Sequence, residues 1–142
     1  MTIKKISYVD SKSINAIAIG GAVLGSGGGG DPYVGRLMTQ QSMNESGGVN
    51  VIDIESLPDD ALILPIAMMG APTVMIEKFP SGNEFAQLIP MIEKMLTKPV
   101  SAILCIEAGG LNSTIPFAAA SKLGLPIIDG DAMGRAFPEL QM

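Results

Sequence analysis

The stretch VSAILCIEAGGLNSTIPFAAASKLG, residues 100–124, decides the fold class of this chain. Residues 100–108 are almost wholly apolar and predict a buried strand that ends next to Glu107. Asn112 or Ser113 then caps a helix, and Gly124 ends it. A buried strand that leads directly into a helix is typical of the βαβ units from which parallel sheets are built.

The same alternation continues on both sides of this stretch. We expect strands at 49–54, 62–69 and 126–131, and helices at 31–45 and 81–96. Pro65 indicates an edge strand or a bulge, and Pro90 a disturbance in its helix. Residues 10–24 fit a helix capped by Asp10 or Ser11, but they are apolar enough to hold a buried strand instead. A further helix could begin within 132–140.

The predicted fold class is α/β, with a layered, mostly parallel, Rossmann-like sheet covered by helices. The chain of 142 residues fits one domain, here an N-terminal α/β domain over residues 1–142. The last residues, GDAMGRAFPELQM, still have the pattern of folded structure. We therefore expect the domain to be incomplete.

Composition excludes several function classes. The net charge is −5 and basic residues are not clustered, which argues against nucleic-acid binding. Only 16% of residues are charged, so we expect a second domain or a subunit to cover part of the surface. No apolar run is long enough to span a membrane, no signal peptide is visible, and a cytoplasmic protein is expected. Histidine is absent, which excludes a Ser-His-Asp triad and histidine metal ligands.

The glycine-rich stretch LGSGGGGDPYVGR, residues 24–36, has three interpretations. Gly25-x-Gly27-x-x-Gly30 matches the dinucleotide fingerprint, with Asp53 placed as a ribose-binding acid. That fingerprint needs a preceding strand, however, and Asp31 would put a negative charge where a phosphate should lie. The alternatives are a close-packed loop that lets backbone approach a ligand or another segment, and a plain structural turn.

Acidic residues follow two of the predicted strands. Glu107 ends one strand, and ligands of open α/β sheets bind at the carboxyl ends of strands. The backbone amides of residues 112–114 could bind an anion or an amide oxygen there. Asp129 and Asp131 end the next strand and, with Glu107, could form an all-oxygen cation site. The structural alternatives are a Glu107 satisfied by backbone N–H groups, and an Asp131 that caps a helix and pairs with Arg135.

Three further features carry weaker signals. The methionines at 68 and 69 are expected to be adaptable core residues. The pair Glu77-Lys78 is expected to be solvated or at an interface, with substrate contact as the alternative. Cys105 is expected to be an inert core residue, because a nucleophile needs an activating base and histidine is absent.

Three motifs in order resemble one known family: AVLGSGGGGDPYVGR, LPIAMMGAPTVMIEKFPSGNE and IEAGGLNSTIPFAAASKLGLPIIDGDAMGRAFPELQM. They closely resemble the N-terminal domain of the S-methyl thiohydantoin desulfurase family, over roughly residues 13–142. The resemblance implies a bacterial or archaeal cytoplasmic protein whose α/β domain is followed by a mostly β domain. It also implies a helix, not a strand, before the glycines. The chain differs from the family in stopping at FPELQM, before that second domain.

The activity that the resemblance implies is hydrolysis of an S-methyl thiohydantoin ring to a hydantoin and methanethiol. The candidate catalytic residues, chosen by their position at strand ends, are Glu107, Asp129 and Asp131. They would activate water directly or through a divalent metal, while NAD is not expected as a cofactor. The candidate substrate-binding residues are Gly27, Gly28, Gly29, Gly30, Asp31, Lys78, Gly109, Gly110, Asn112 and Arg135.

The expected partners are a small-molecule substrate, a missing C-terminal domain or partner subunit, and further copies of the chain in a homo-oligomer. Two other functions remain open. One is a non-catalytic subunit or assembly domain, which the low charge favours. The other is a dinucleotide-binding oxidoreductase domain, which the glycine fingerprint favours.

Overall fold

A five-stranded sheet lies at the centre of the computed structural model, which describes residues 5–78, 80–81 and 83–137. The strands are β1 (Tyr8–Val9), β2 (Val49–Ile52), β3 (Leu62–Ile66), β4 (Val100–Cys105) and β5 (Ile127–Asp131). Their order across the sheet is β1-β2-β5-β4-β3. Only β1 runs antiparallel to its neighbour, and the other pairs are parallel. The predicted α/β fold with a mostly parallel sheet is confirmed.

Five α-helices connect and cover these strands within the described residues. They are α1 (Ile14–Gly25), α2 (Pro32–Ser46), α3 (Pro72–Glu77), α4 (Glu84–Leu96) and α5 (Ile115–Leu123), with a short 3-10 helix at Ile54–Ser56. None of the described helices is both long and apolar enough to cross a membrane.

Residues 14–25 form a helix, so the alternative of a buried strand at 10–24 is wrong. The Asp10 carboxylate precedes the helix and accepts hydrogen bonds from the backbone N–H groups of Lys12 and Ser13, at 3.1 and 2.8 Å. This side chain fixes the turn from which α1 starts. Helix α2 begins as predicted, because the Asp31 side chain accepts from the N–H of Tyr33 at 2.8 Å.

The structure confirms some of the predictions for individual elements and shows that others are wrong. Strand β2 stops at Ile52, because the Asp53 side chain accepts from the N–H of Glu55 and caps the 3-10 helix. Strand β3 is an edge strand with an exposed Pro65, as expected. Helix α4 continues without interruption through Pro90, so the disturbance predicted at this proline does not break the helix. Residues 132–137 are not helical, and residues 138–142 lie outside the described part.

Helix α5 lies in the hydrophobic core of the domain. All of its residues from Ile115 to Ser121 are buried, and it packs against α2 and against the central strands. The fully buried Ile103 and Ile127 lie beneath it on β4 and β5. Helices α1 and α4, in contrast, leave large apolar side chains exposed, among them Val23 and Met95, which are 71% and 81% exposed.

Candidate functional site

A cleft of about 810 Å³ opens at the carboxyl ends of β3 and β4. Four segments form its walls: the glycine loop before α2, the end of β3 with α3, the loop after β4, and residues 133–137. Its polar side chains are Asp31, Glu107 and Asn112. Its apolar side chains are Val34, Ala67, Met68, Met69, Ala71, Val74, Met75, Ile106, Leu111, Met133, Ala136 and Phe137.

Glu107 is the buried acid of this cleft. It is only 6% exposed, just beyond the end of β4, and it still contributes to the cleft wall. Its Oε1 accepts a hydrogen bond from the Asn112 side-chain amide at 2.7 Å. Its second oxygen has no hydrogen-bond partner among the described residues. One oxygen is therefore fixed by the protein, and the carboxylate keeps acceptor capacity for a ligand or water.

The side chain of Asn112 forms hydrogen bonds with Glu107 and with the backbone of Met68, just after β3. Its Oδ1 accepts from the backbone N–H of Met68 at 2.8 Å, and its Nδ2 donates to the carbonyl of Met68 at 3.2 Å. The same amide group donates to Glu107. A side chain that is 5% exposed thus links the two strand ends across the floor of the cleft.

The amides at the start of α5 do not form the anion site predicted from the sequence. The carbonyl of Gly29 accepts from the N–H groups of Leu111 and Asn112, at 2.7 and 3.1 Å. The N–H groups of Ser113 and Thr114 donate to carbonyls within the same loop, at 2.9 and 3.0 Å. Each of these donors already has an acceptor, so this prediction is wrong.

The glycines allow two loops to pack backbone against backbone. A Cβ atom added at Gly110 would lie 2.0 Å from the carbonyl oxygen of Gly30, and one added at Gly29 would lie 2.6 Å from the Cα of Gly109. Gly29 and Gly30 also have φ of +75° and +82°, which side chains rarely adopt. The close-packed loop is therefore the correct interpretation of this stretch, and the segment that it approaches is residues 109–112.

The dinucleotide interpretation of the same stretch is wrong. Helix α1, not a strand, precedes the glycines, as the resemblance implied. Asp53, the expected ribose ligand, caps the 3-10 helix and pairs with Lys5. Its bond to Lys5 lowers the pKa of Asp53 and raises that of Lys5.

Asp129 and Asp131 do not join Glu107. Both are exposed, and neither belongs to the cleft wall. The Asp131 side chain accepts from the backbone N–H groups of Met133 and Gly134, so it caps a turn, not a helix. No three acidic or thiol side chains in the described part of the chain are grouped to hold a metal ion. The predicted all-oxygen site is wrong, because Asp129 and Asp131 are exposed outside the cleft, whereas Glu107 is buried in its wall.

The predicted substrate-binding residues divide into three groups. Gly27, Gly29, Gly30, Asp31 and Asn112 line the cleft, whereas Gly28, Gly109 and Gly110 lie behind it in the packed loops. The exposed Lys78, directly after α3, is not part of the cleft wall. Arg135 is also outside the wall, with its guanidinium 6.0 Å from the Phe137 ring centre, and makes no ion pair with Asp131.

The apolar wall was not predicted from the sequence. Met68 packs against the core as expected, but it also lines the cleft together with Met69 and with Val74 and Met75 of α3. Met69 is in fact exposed. The available signal was the apolar stretch AMMGAPTVM directly after a strand end, where ligands of α/β sheets bind.

Cys105 has the properties of an inert core residue, as expected. Burial and, as a smaller effect, the negative charge of Asp131 together raise its pKa to about 12. The neutral thiol is a weak nucleophile.

Comparison with known proteins gives a family and a fold. No curated protein matches the chain. A crystal structure of a protein from Chromobacterium violaceum superimposes with a TM-score of 0.76 at 24% sequence identity, which supports the fold alone. The match covers 94% of this chain and 37% of that one, so the chain spans little more than a third of that protein. Residues 12–142 match the S-Me-THD-like, N-terminal domain family. The chain therefore belongs to the S-Me-THD-like family, as an N-terminal domain.

Proposed function

We propose that this domain carries the cleft of a hydrolase that acts on hydantoin-like five-membered rings. The proposed reaction replaces the methylthio group of an S-methyl thiohydantoin with oxygen from water. The observation that carries the proposal is Glu107, a buried carboxylate fixed by Asn112 in an otherwise apolar cleft at strand ends. Membership of the S-Me-THD-like family supports the choice of substrate class.

Glu107 would act as the general base. It accepts a proton from a water molecule as the water oxygen attacks the ring carbon that bears sulfur, and the adjacent ring nitrogen gains the electron pair of the C=N bond. The second proton of that water, now on the new hydroxyl group, passes to this ring nitrogen as the hydroxyl oxygen becomes the carbonyl oxygen. The C–S bond then breaks, and the departing sulfur takes up the proton that Glu107 received. The products are a hydantoin carbonyl and methanethiol, so one water is consumed and no oxidant is needed.

The glycine loop would hold the ring. Gly29 and Gly30 line the cleft, and their backbone N–H groups donate to no acceptor in the described part of the chain. Such free donors can bind a ring carbonyl or the developing negative charge on the ring. In this proposal Asn112 does not touch substrate, because its amide is already occupied by Met68 and Glu107.

A turnover assay on the purified chain tests the proposal. Methanethiol release from a 5-substituted S-methyl thiohydantoin is measured with a thiol reagent, for the wild type and for Glu107→Gln. We expect the substitution to lower the rate by a factor of about 10² or more, since it removes the base. Glu45→Gln, an exposed carboxylate near the end of α2, is the matched control and should keep the wild-type rate. Equal rates for wild type and Glu107→Gln would exclude the proposed role.

An assembly role is a second proposal, and the exposed apolar side chains of α1 and α4 favour it. Val23 and Leu24 on α1, and Met91 and Met95 on α4, are each more than half exposed. Such surfaces are commonly covered by another chain or domain. Light scattering coupled to size exclusion tests this: a dimer that Val23→Ser or Met95→Ser converts to monomer would support it, and a monomeric wild type would contradict self-assembly.

A further inference from the structure

The charge of the cleft restricts which ligands it can take. Its two ionisable wall residues, Asp31 and Glu107, are both acidic, and the described wall contains no lysine or arginine. Lys78 and Arg135, the two cationic residues among the substrate-binding candidates, lie outside the wall. An anionic group in this cleft would meet these two carboxylates and no cationic side chain of the described wall.

The size and the walls of the cleft indicate a second property of the ligand. Its volume of about 810 Å³ is far larger than a bare five-membered ring needs. The remaining wall is formed by apolar side chains, including the methionines at 68, 69, 75 and 133. Methionine adapts to irregular apolar shapes, so this wall suits aromatic and branched aliphatic groups.

We propose that the ligand is an electrically neutral ring with a large apolar substituent, and that the cleft discriminates against ligands with a carboxylate. Glu107 accepts a hydrogen bond from a ring N–H, and the substituent lies against the methionine wall. The neutral-ligand assignment stands on the cleft alone, whereas the choice of a hydantoin ring rests on the proposed function.

Binding measurements with three related hydantoins test this proposal. 5-Benzylhydantoin, unsubstituted hydantoin and hydantoin-5-acetic acid are titrated into the wild-type chain by calorimetry at pH 7.5. We expect the benzyl compound to bind at least tenfold more tightly than either of the others, because only it is neutral and fills the apolar wall. Equal or tighter binding of the acetic acid derivative, or no binding of the benzyl compound, would overturn the proposal.

A cation introduced into the wall provides an independent check. Met75→Lys places a positive charge on the face of α3 that lines the cleft, and Thr73→Lys places one on an exposed position of the same helix outside the cleft. We expect roughly tenfold tighter binding of hydantoin-5-acetic acid to Met75→Lys and no change for Thr73→Lys. Thermal unfolding of both variants verifies that they fold, and an equal gain in both would contradict the proposal.

The ligand class and the proposed reaction can fail separately. Tight binding of 5-benzylhydantoin without turnover of its S-methyl thiohydantoin counterpart would support the ligand class and exclude the hydrolase. Turnover with a preference for the carboxylate compound would support the hydrolase and overturn the ligand class.

Discussion

At the scale of single residues, the hydrogen bonds of Asn112 to Glu107 and to Met68 fix the floor of the cleft. Glu107 and Asn112 follow from the rule that ligands bind at strand ends, and both line the cleft. Local sequence predicts an anion at the backbone amides of residues 112–114, because it does not show the acceptors that these N–H groups have in the fold. Those acceptors include the carbonyl of Gly29, which is distant along the chain and reaches them only through the packing of two loops. Sequence position therefore predicts which residues lie at the cleft, but it does not predict which of their N–H donors already have an acceptor.

Asn112→Asp is expected to destabilise the domain by about 2–4 kcal/mol at pH 7. The substitution keeps the shape but removes the donors to Glu107 and to the Met68 carbonyl, and it sets a second carboxylate against Oε1 of Glu107. Urea unfolding monitored by circular dichroism measures the change. Asn50→Asp, an exposed change of the same kind on β2, should alter the free energy of unfolding by less than about 0.5 kcal/mol. Similar losses for the two variants would show that the amide bridge contributes nothing specific.

Cys105 should react slowly with iodoacetamide while the chain is folded. Its pKa is raised from the ordinary 9.0 to about 12, so at pH 8 the thiolate fraction is roughly a thousandfold below that of a free thiol. Mass spectrometry after timed alkylation, with and without urea, measures both rates. Fast alkylation of the folded chain would contradict the burial of this thiol.

The same shift predicts how stability depends on alkaline pH. Because the folded-state pKa of Cys105 lies above its unfolded value, the thiol's contribution to stability is complete below pH 9 and is lost as pH rises towards 12. Cys105→Ala should remove this part of the alkaline decline, which urea titrations at pH 8 and pH 10.5 can measure. An unchanged decline in the variant would assign it to other groups.

At the scale of elements, local signals predicted the helices better than the ends of the strands. Asp31-Pro32 placed the start of α2 and Gly124 the end of α5, because caps act through hydrogen bonds within a few residues. Strands β2 and β3 are shorter than their apolar runs. The cap that Asp53 forms on the 3-10 helix ends β2, and β3 ends at Ile66, opposite the last residue of β4. Helix α3 was not predicted, because six residues after a strand give no clear helical period.

Helix α1 has two adjacent glycines whose environments differ, and alanine substitutions should have opposite effects. A Cβ at Gly20 meets nothing within 4 Å, so Gly20→Ala should stabilise the domain by about 0.5–1 kcal/mol through helix propensity. A Cβ at Gly21 would lie 2.0 Å from the Oγ of the buried Ser113, and Gly21→Ala should destabilise by about 1–3 kcal/mol. Each variant is the other's control for helix propensity, and urea midpoints give both values. Effects of the same sign would contradict the close packing of α1 on the loop after β4.

At the scale of the whole molecule, the parallel sheet was predictable but its order was not. Alternating strands and helices predict parallel pairing, because crossovers by helices return the chain to the same end of the sheet. The order β1-β2-β5-β4-β3 depends on contacts between distant segments, which no local pattern encodes. It places β4 and β5 inside the sheet and leaves β3, beside the cleft, at an edge.

This order predicts a gradient of local stability across the domain. Amides of β4 and α5 should exchange with solvent only on global unfolding, because β4 pairs on both sides and α5 is buried along most of its length. Amides of α3 should exchange faster, since this helix has six residues and its Val74 is 57% exposed. Hydrogen exchange followed by mass spectrometry in 0 to 2 M urea measures the opening free energy of each segment. We expect α3 to open without the rest of the sheet, so that one wall of the cleft can move while its floor, Glu107 and Asn112, stays in place. Equal opening energies for α3 and β4 would show instead that the cleft is as rigid as the core.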